Sequence, residues 1–441
     1  MTVESGRLAP EERRALFAGP VYRIVGTPLV AVLGLANTAI IVRQTGSEVF
    51  GLVALVATIT LLFPFADLGI GATVLSASAQ LQRPDQNPNA ADIIRRGYHV
   101  LIAVAVVVAL AAIGVMAVDG WSVLVGFSSG PDDRWAITVA AILFALTIPA
   151  GLGVRILIGI DRNPLATLVL MSCPAFGLLA TVALYSVGVQ GIWYCVTGLA
   201  GLLAGQVVGT VLALRLSGLG WSAFGRVTSS ETTANLLAGS LWLFLVGVGL
   251  PVGLQTGRVI LAHLSTPEEL SQYALMAQFY AVGWSVLSTA GLAYWPIFVK
   301  RRSATAPTIR MWWRLTAAFA ALACVGAAGM WALGPWAAGV LSGGRIEVSA
   351  WLALAFGALL IGQAMHLPAN VLLTRPNEAR WQAWWTLAMA AVSIGLGCAV
   401  AGDWGAVGVV FTAAAAIAVA QVIPDLAWVP RLVRRRQADS D

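Results

Sequence analysis

The segment Pro64–Gln80, PFADLGIGATVLSASAQ, sets one carboxylate, Asp67, inside a run apolar enough to cross a membrane, then follows it with Gly69, Gly71, Ala72, Ser76, Ser78 and Ala79. A carboxylate so placed can bind a proton or cation, or it can pair with an arginine or a helix end and pin a packing contact. A helix running inward from Gly51 carries Asp67 roughly 24 Å down, close to the interface, which favours the pinning role. The small residues Gly69, Ala72, Ser76 and Ala79 recur at helical spacing and would let a neighbouring backbone approach closely. Asn37, Thr38, Gln255, Thr256, Gln278, Tyr280, Gln363 and His366 are further polar groups within apolar runs, able to bond hydroxyl-rich ligands or one another. Cys173, Cys195, Cys324 and Cys398 are isolated, as are His99, His263 and His366, so neither a disulfide framework nor a metal-ligand set is visible. The Gly-x-Gly string lacks the strand and helix that a dinucleotide fingerprint requires. No catalytic residue, cofactor or metal is expected.

The elements that position these groups follow from composition. Of 441 residues, 59% are hydrophobic and 10% charged, whereas a soluble domain carries about 25% charge. Segments of about 20 apolar residues span a bilayer, and they begin near residues 21, 50, 97, 135, 165, 191, 236, 272, 312, 350, 381 and 405. The reading is an all-α polytopic membrane protein with about twelve transmembrane helices. With both termini placed in the cytoplasm, 22 of the 26 Lys and Arg fall inside. Only Arg43, Arg134, Arg258 and Arg345 fall outside, the asymmetry expected of an even number of spans. Miscounting one helix would destroy the bias. The net charge of +6 therefore points to anionic lipid and not to nucleic acid. Trp135, Trp193, Trp312, Trp313, Trp351, Trp381, Trp384, Trp385, Trp404 and Trp428 lie near helix ends and read as an interfacial belt.

The chain divides at a polar stretch. The expected organisation is a cytoplasmic segment 1–20, an N-terminal lobe 21–214, a cytoplasmic linker 215–233, a C-terminal lobe 234–430 and a basic tail 431–441. Thr228 to Glu231 has the spacing of a capping box opening the second lobe. AIIVRQTGSEVFGLVAL, Ala39–Leu55, aligns with VILAHLSTPEELSQYAL, Val259–Leu275, at an offset of 220. The pairs Ile40/Ile260, Glu48/Glu268, Ala54/Ala274 and Leu55/Leu275 coincide, and Pro28 and Pro251 interrupt corresponding helices as candidate bends. Two parallel, pseudo-symmetric six-helix lobes follow, an arrangement in which transporters hold substrate between the halves.

Ile40–Gln80 resembles the first two helices of bacterial polysaccharide flippases of the Wzx type. Gly46, Glu48, Phe50, Gly51 and Leu52 match that family's turn, and Asp67, Leu68, Gly69 and Gly71 match the close of its second helix. GRVILAHLSTPEELSQYAL, Gly257–Leu275, resembles the family's arginine-bearing end of helix 7, with Gly257 standing where the family carries aspartate. The resemblance implies the MATE-like fold of the multidrug/oligosaccharidyl-lipid/polysaccharide exporter superfamily, with a central cavity lined by helices 1, 2, 7 and 8. It implies as substrate a glycan on undecaprenyl pyrophosphate, flipped from the inner to the outer leaflet of the bacterial plasma membrane for O-antigen or other surface polysaccharide. Partners would be that lipid-linked glycan, membrane lipid, and the polymerase and glycosyltransferases of the same pathway.

Such a headgroup needs cations for its phosphates and hydrogen bonds for its sugars, because an unpaired buried charge is costly. Arginine's planar fork suits phosphate. Arg23, Asn37, Gln255, Arg258, Gln278 and Tyr280 are the candidate cavity residues, with Asp67 structural or coupling. Two alternatives stand beside this reading. An ion-coupled drug or metabolite antiporter of the same fold would want a carboxylate deeper than Asp67. An integral-membrane glycan polymerase would want a catalytic outer loop, but Asp119, Asp132 and Asp133 show no nucleophile–base constellation.

Overall fold

A computed structural model describes residues 10–58, 70–81, 90–126, 130–225, 241–292, 294, 298, 305–373 and 376–438. Among these residues the fold is helical throughout, as expected. The helices are α1 (Pro10–Ala57), α2 (Ile70–Gln80), α3 (Ala90–Ala117), α4 (Trp121–Val125), α5 (Pro131–Ala150), α6 (Leu152–Gly159), α7 (Asn163–Ser186) and α8 (Cys195–Leu216). There follow α9 (Leu241–Leu264), α10 (Pro267–Leu292), α11 (Thr305–Ser342), α12 (Ala350–Leu372), α13 (Pro376–Ile417) and α14 (Ile423–Ala438). Eight stretches among the described residues are long and apolar enough to span a membrane.

Two long helices are each two helices joined at a glycine. In α1, Gly46 adopts φ 79° and ψ 178°, a combination open essentially to glycine alone. In α13 the same role falls to Gly405, at φ 52° and ψ −141°. Upstream, α1 runs unbroken from Pro10 to this turn, so the first spanning helix continues the N-terminal segment with no break at residue 20. Downstream, α14 carries the last span through to Ala438. Where loops meet helices, local caps hold the ends. The Ser349 hydroxyl accepts from Leu352 N at 3.1 Å to open α12, and Asp133 accepts from Gly130 N at 3.0 Å to open α5. Asp119 pairs with Arg134 at 2.9 Å, so these loop carboxylates serve local structure.

The helices pack in two sets. In the first, α7 packs on α1 and α8, α5 on α3 and α8, and α2 on α6. In the second, α12 is buried against α10, α11 and α13, while α9 packs along α13. Lipid-facing sides are recognisable by exposed apolar side chains, such as Val106, Val107, Leu110 and Ile113 of α3. Within α2 the buried face is Ile70, Gly71, Val74, Ala77 and Ser78, while Ser76 and Ala79 are exposed. Of the four small residues expected to make a close approach, Ser76 and Ala79 are thus exposed, while Gly69 and the side chain of Ala72 lie outside the described residues. The close approach is made by α6, whose Gly159 would bring an added Cβ within 2.6 Å of the Leu75 carbonyl oxygen. Trp312 also departs from the expected belt: it is fully buried in the second set, whereas Trp135, Trp351, Trp384 and Trp404 are exposed.

Candidate functional site

The two sets meet through α1, which packs against α9, α10 and α11, and through α4 against α9. The hydrogen bonds across this seam cluster at the Gly46 end of the bundle. Arg43 donates from Nε to Leu341 O at 3.2 Å and from Nη2 to Val340 O at 2.9 Å. Arg345 donates back to Arg43 O. His263 sets Nε2 3.0 Å from Val123 O, and Ser271 donates to Ser47 O.

These contacts obey the repeat. Arg43 and His263 are 220 residues apart, and each bonds carbonyl groups near the same end of the opposite set's third spanning helix: Arg43 in the last turn of α11, His263 in α4 just after α3. Gly51 and Ser271 are also 220 apart and touch each other: a Cβ at Gly51 would lie 2.7 Å from Ser271 Oγ and 3.1 Å from Ser271 N. Contact between equivalent positions of two repeats is what a pseudo-twofold axis passing between them produces. The seam at this end is a symmetric latch.

Beneath the latch lie the candidate polar residues. Counting along the helices from this end at 1.5 Å per residue, Arg258, Asn37, Gln255, Gln278 and Tyr280 fall in a layer about 9 to 20 Å deep. Arg258, on α9, is 8% exposed. Its Nη1 donates to Thr58 Oγ1 of the opposite set at 2.9 Å, and its guanidinium carbon stands 6.0 Å over the ring of Tyr273. Its Nε is buried without a partner, and among the described residues no carboxylate pairs with it. The arginine thus crosses the seam, but in a buried setting. Gly257 explains the local fit: a Cβ there would meet Val409 Cγ1 at 3.0 Å and the Tyr273 hydroxyl at 3.2 Å.

The remaining expectations divide. Asn37 Oδ1 and the Tyr280 hydroxyl are both buried without partners, but the Tyr280 ring packs 5.7 Å from Phe356 inside the second set. Gln255 and Gln278 are half-buried. The side chains of Arg23 and Pro251 and the whole of Asp67 lie outside the described residues, while Pro28 is exposed on α1. The helical backbone of α1 departs from helical values only at Gly46. Thr58 and Tyr273 were missed by sequence reasoning, although Tyr273 stands within the quoted second-half motif. So was the contact between His366 on α12 and Asp425 on α14, whose Nδ1 and Oδ2 are 2.7 Å apart.

The sequence profile of the family described as "Polysaccharide biosynthesis protein" matches residues 16–301. The chain belongs to this polysaccharide biosynthesis family. The family is that of Wzx-type flippases, which makes the protein a multi-pass membrane transporter. No curated relative matches its sequence. Solved structures show the fold of the MOP superfamily. An inward-facing multidrug-resistance transporter of the MATE family superposes with a TM-score of 0.72 at 13% identity, over 96% of this chain and 100% of the other. Its outward-facing counterpart gives 0.65 at 13% identity over 96% of each chain. The lipid II flippase MurJ, in an inward closed conformation, gives 0.63 at 12% identity over 95% of this chain and 90% of the other. For this polysaccharide biosynthesis family member, then, the fold is that of these MOP-superfamily structures, and the latch joins the two helical sets at the Gly46 end.

Proposed function

We propose that this protein moves an undecaprenyl-pyrophosphate-linked oligosaccharide from the inner to the outer leaflet of a bacterial plasma membrane, supplying surface polysaccharide assembly. The positive charge asymmetry orients the Gly46 end outward, so the latched seam is a state closed to the outside with both termini in the cytoplasm. The observation that carries the reading is Arg258. A guanidinium 8% exposed, holding one neutral hydroxyl and one ring and leaving Nε unpartnered, is a buried cation with no counter-charge among the described residues. Such a group lowers stability unless an anion completes it, and a pyrophosphate does so with paired oxygens matched to the guanidinium fork. The neutral groups in the same layer, Asn37, Gln255 and Gln278, supply hydrogen-bonding capacity for sugar hydroxyls, while the polyprenyl tail stays in lipid. Arg23, at the other end of α1, would meet the headgroup on entry. The lipid carrier, and the polymerase and glycosyltransferases that act before and after it, are the partners this reading requires.

The test replaces Arg258 by methionine, which keeps volume and removes charge. Export of surface polysaccharide should fall at least tenfold, with lipid-linked oligosaccharide accumulating on the cytoplasmic leaflet. The purified variant should melt at the same or a higher temperature than the parent, because an uncompensated buried charge has gone. Normal surface glycan in that strain refutes the assignment. Loss of drug efflux with intact glycan export would instead favour the antiporter.

A further inference from the structure

His366 and Asp425 form a contact that the proposed transport cycle does not use. The imidazole Nδ1 lies 2.7 Å from the carboxylate Oδ2, with side chains 11% and 3% exposed. Two other ion pairs among the described residues, Arg95–Asp92 and Arg134–Asp119, lie toward helix ends in more exposed settings. This one joins two spanning helices of the second set, α12 and α14. Three further observations single out its surroundings. Gln421, one turn before Asp425, is 2% exposed and both its amide atoms are buried without a partner. Gln363, one turn before His366, is also buried. And Gln421 sits in a π-helical segment, Ala418–Val422, that separates α13 from α14. A π turn inside an α-helix is rare and frequently found at functional sites.

A bare structural tether needs none of this. A serine or asparagine would join the helices without bringing a carboxylate and an orphaned amide into a membrane interior. What this cluster can do that a tether cannot is hold a variable charge. With Nδ1–H donating to the carboxylate, His366 Nε2 is the site that a proton can enter or leave. Protonated, the pair is imidazolium and carboxylate with no net charge. Deprotonated, it carries one net negative charge, which a dry interior disfavours and water entry tolerates. The π segment can re-register to α geometry, turning Asp425 relative to α12 and altering that access.

We propose that His366, Asp425 and Gln421 form a proton site within the second helical set, taking one proton from water onto His366 Nε2 and returning it to water as the helices rearrange. The other ionisable groups on the helices packed around the pair include Glu268, Glu269, Tyr273 and Tyr280 on α10, with Tyr294 just beyond its end, Arg310, Arg314 and Cys324 on α11, Glu378, Arg380, Cys398 and Asp403 on α13, and Arg431 and Arg434 on α14. The arginines are exposed, and among these charged groups Glu378 alone is buried.

The test needs no glycan, so its outcome is separate from that of the flippase reading. Spin labels are placed through Val118→Cys and Trp404→Cys, exposed positions on the two sets at the latch end. Exposed Cys324 and Cys398 are replaced by serine. The label-to-label distance distribution of the full chain in lipid nanodiscs is then measured from about pH 5 to about pH 8, the range in which an imidazole ordinarily changes charge. The parent should change its ratio of closed to open populations by tenfold or more. Asp425→Asn, which still accepts the Nδ1–H bond and so preserves any tether, should flatten that response, as should His366→Gln. Glu378→Gln and His263→Gln should retain it. An unchanged response in Asp425→Asn overturns the proposal. So does a response lost only in His263→Gln, which assigns pH sensitivity to the latch, or one that follows sodium concentration in place of pH.

Discussion

The latch permits a quantitative prediction. Arg43 gives two bonds to Val340 and Leu341 carbonyl oxygens, and His263 gives one to Val123. Hydrogen bonds to charged groups are worth about 1.5–3 kcal/mol when sheltered, but both side chains are exposed, and solvent screening reduces this to about 0.5–1 kcal/mol for each bond. Arg43→Ala should therefore destabilise the closed end by about 1 to 2 kcal/mol, and His263→Ala by somewhat less than about 1 kcal/mol. Because the two contacts lie on opposite sides of the pseudo-twofold axis and share no partner, their effects should add. A combined loss of about 2 kcal/mol is roughly a thirtyfold shift. An open population of about 1% in the parent would rise to about a quarter. The labels at positions 118 and 404 read this directly, with single and double variants compared at one pH. A double variant whose distance distribution matches the parent would falsify the latch. A double variant no more open than Arg43→Ala alone would show that His263 bears no load. His263 also sets Nδ1 2.9 Å from Val259 O.

Further expectations concern single residues. Gly51→Val should force the two sets apart, since even a Cβ would stand 3.1 Å from the Ser271 backbone nitrogen. The label distances should lengthen with little change in unfolding temperature, and a normal closed distribution would show that the contact is not tight. Gly46→Ala should lower stability by about 1–3 kcal/mol, because φ 79° with ψ 178° is closed to a side chain. An unchanged melting temperature would mean that the turn relaxes at no cost. Tyr280→Phe removes a buried hydroxyl that has no partner, so stability should hold or rise. A fall in export would then place the hydroxyl on the substrate route.

Local signals in the sequence carried much of this protein. Runs of apolar residues at spanning length, the bias of arginine to one side, and the 220-residue repeat are each legible one segment at a time. So is the glycine that breaks α1, because a turn between two helices needs a backbone that side chains forbid. The motif around Gly46 to Leu52 and the second-half turn pointed to the family without any tertiary information. Which face of a helix is buried was not legible in α2, and the reason is physical. In water, burial is written as contrast between apolar and polar residues, but in lipid both faces are apolar, and the small residues at Ser76 and Ala79 look no different from those at Ala77 and Ser78.

Pairings across long separations were decided by the fold alone. Arg258 meets Thr58 two hundred positions away, His366 meets Asp425 across two helices, and Arg43 reaches the far end of α11. None of these partners shares a periodic pattern with the other. They are neighbours because two similar helical sets face each other about an axis, and that axis exists only once both sets have folded.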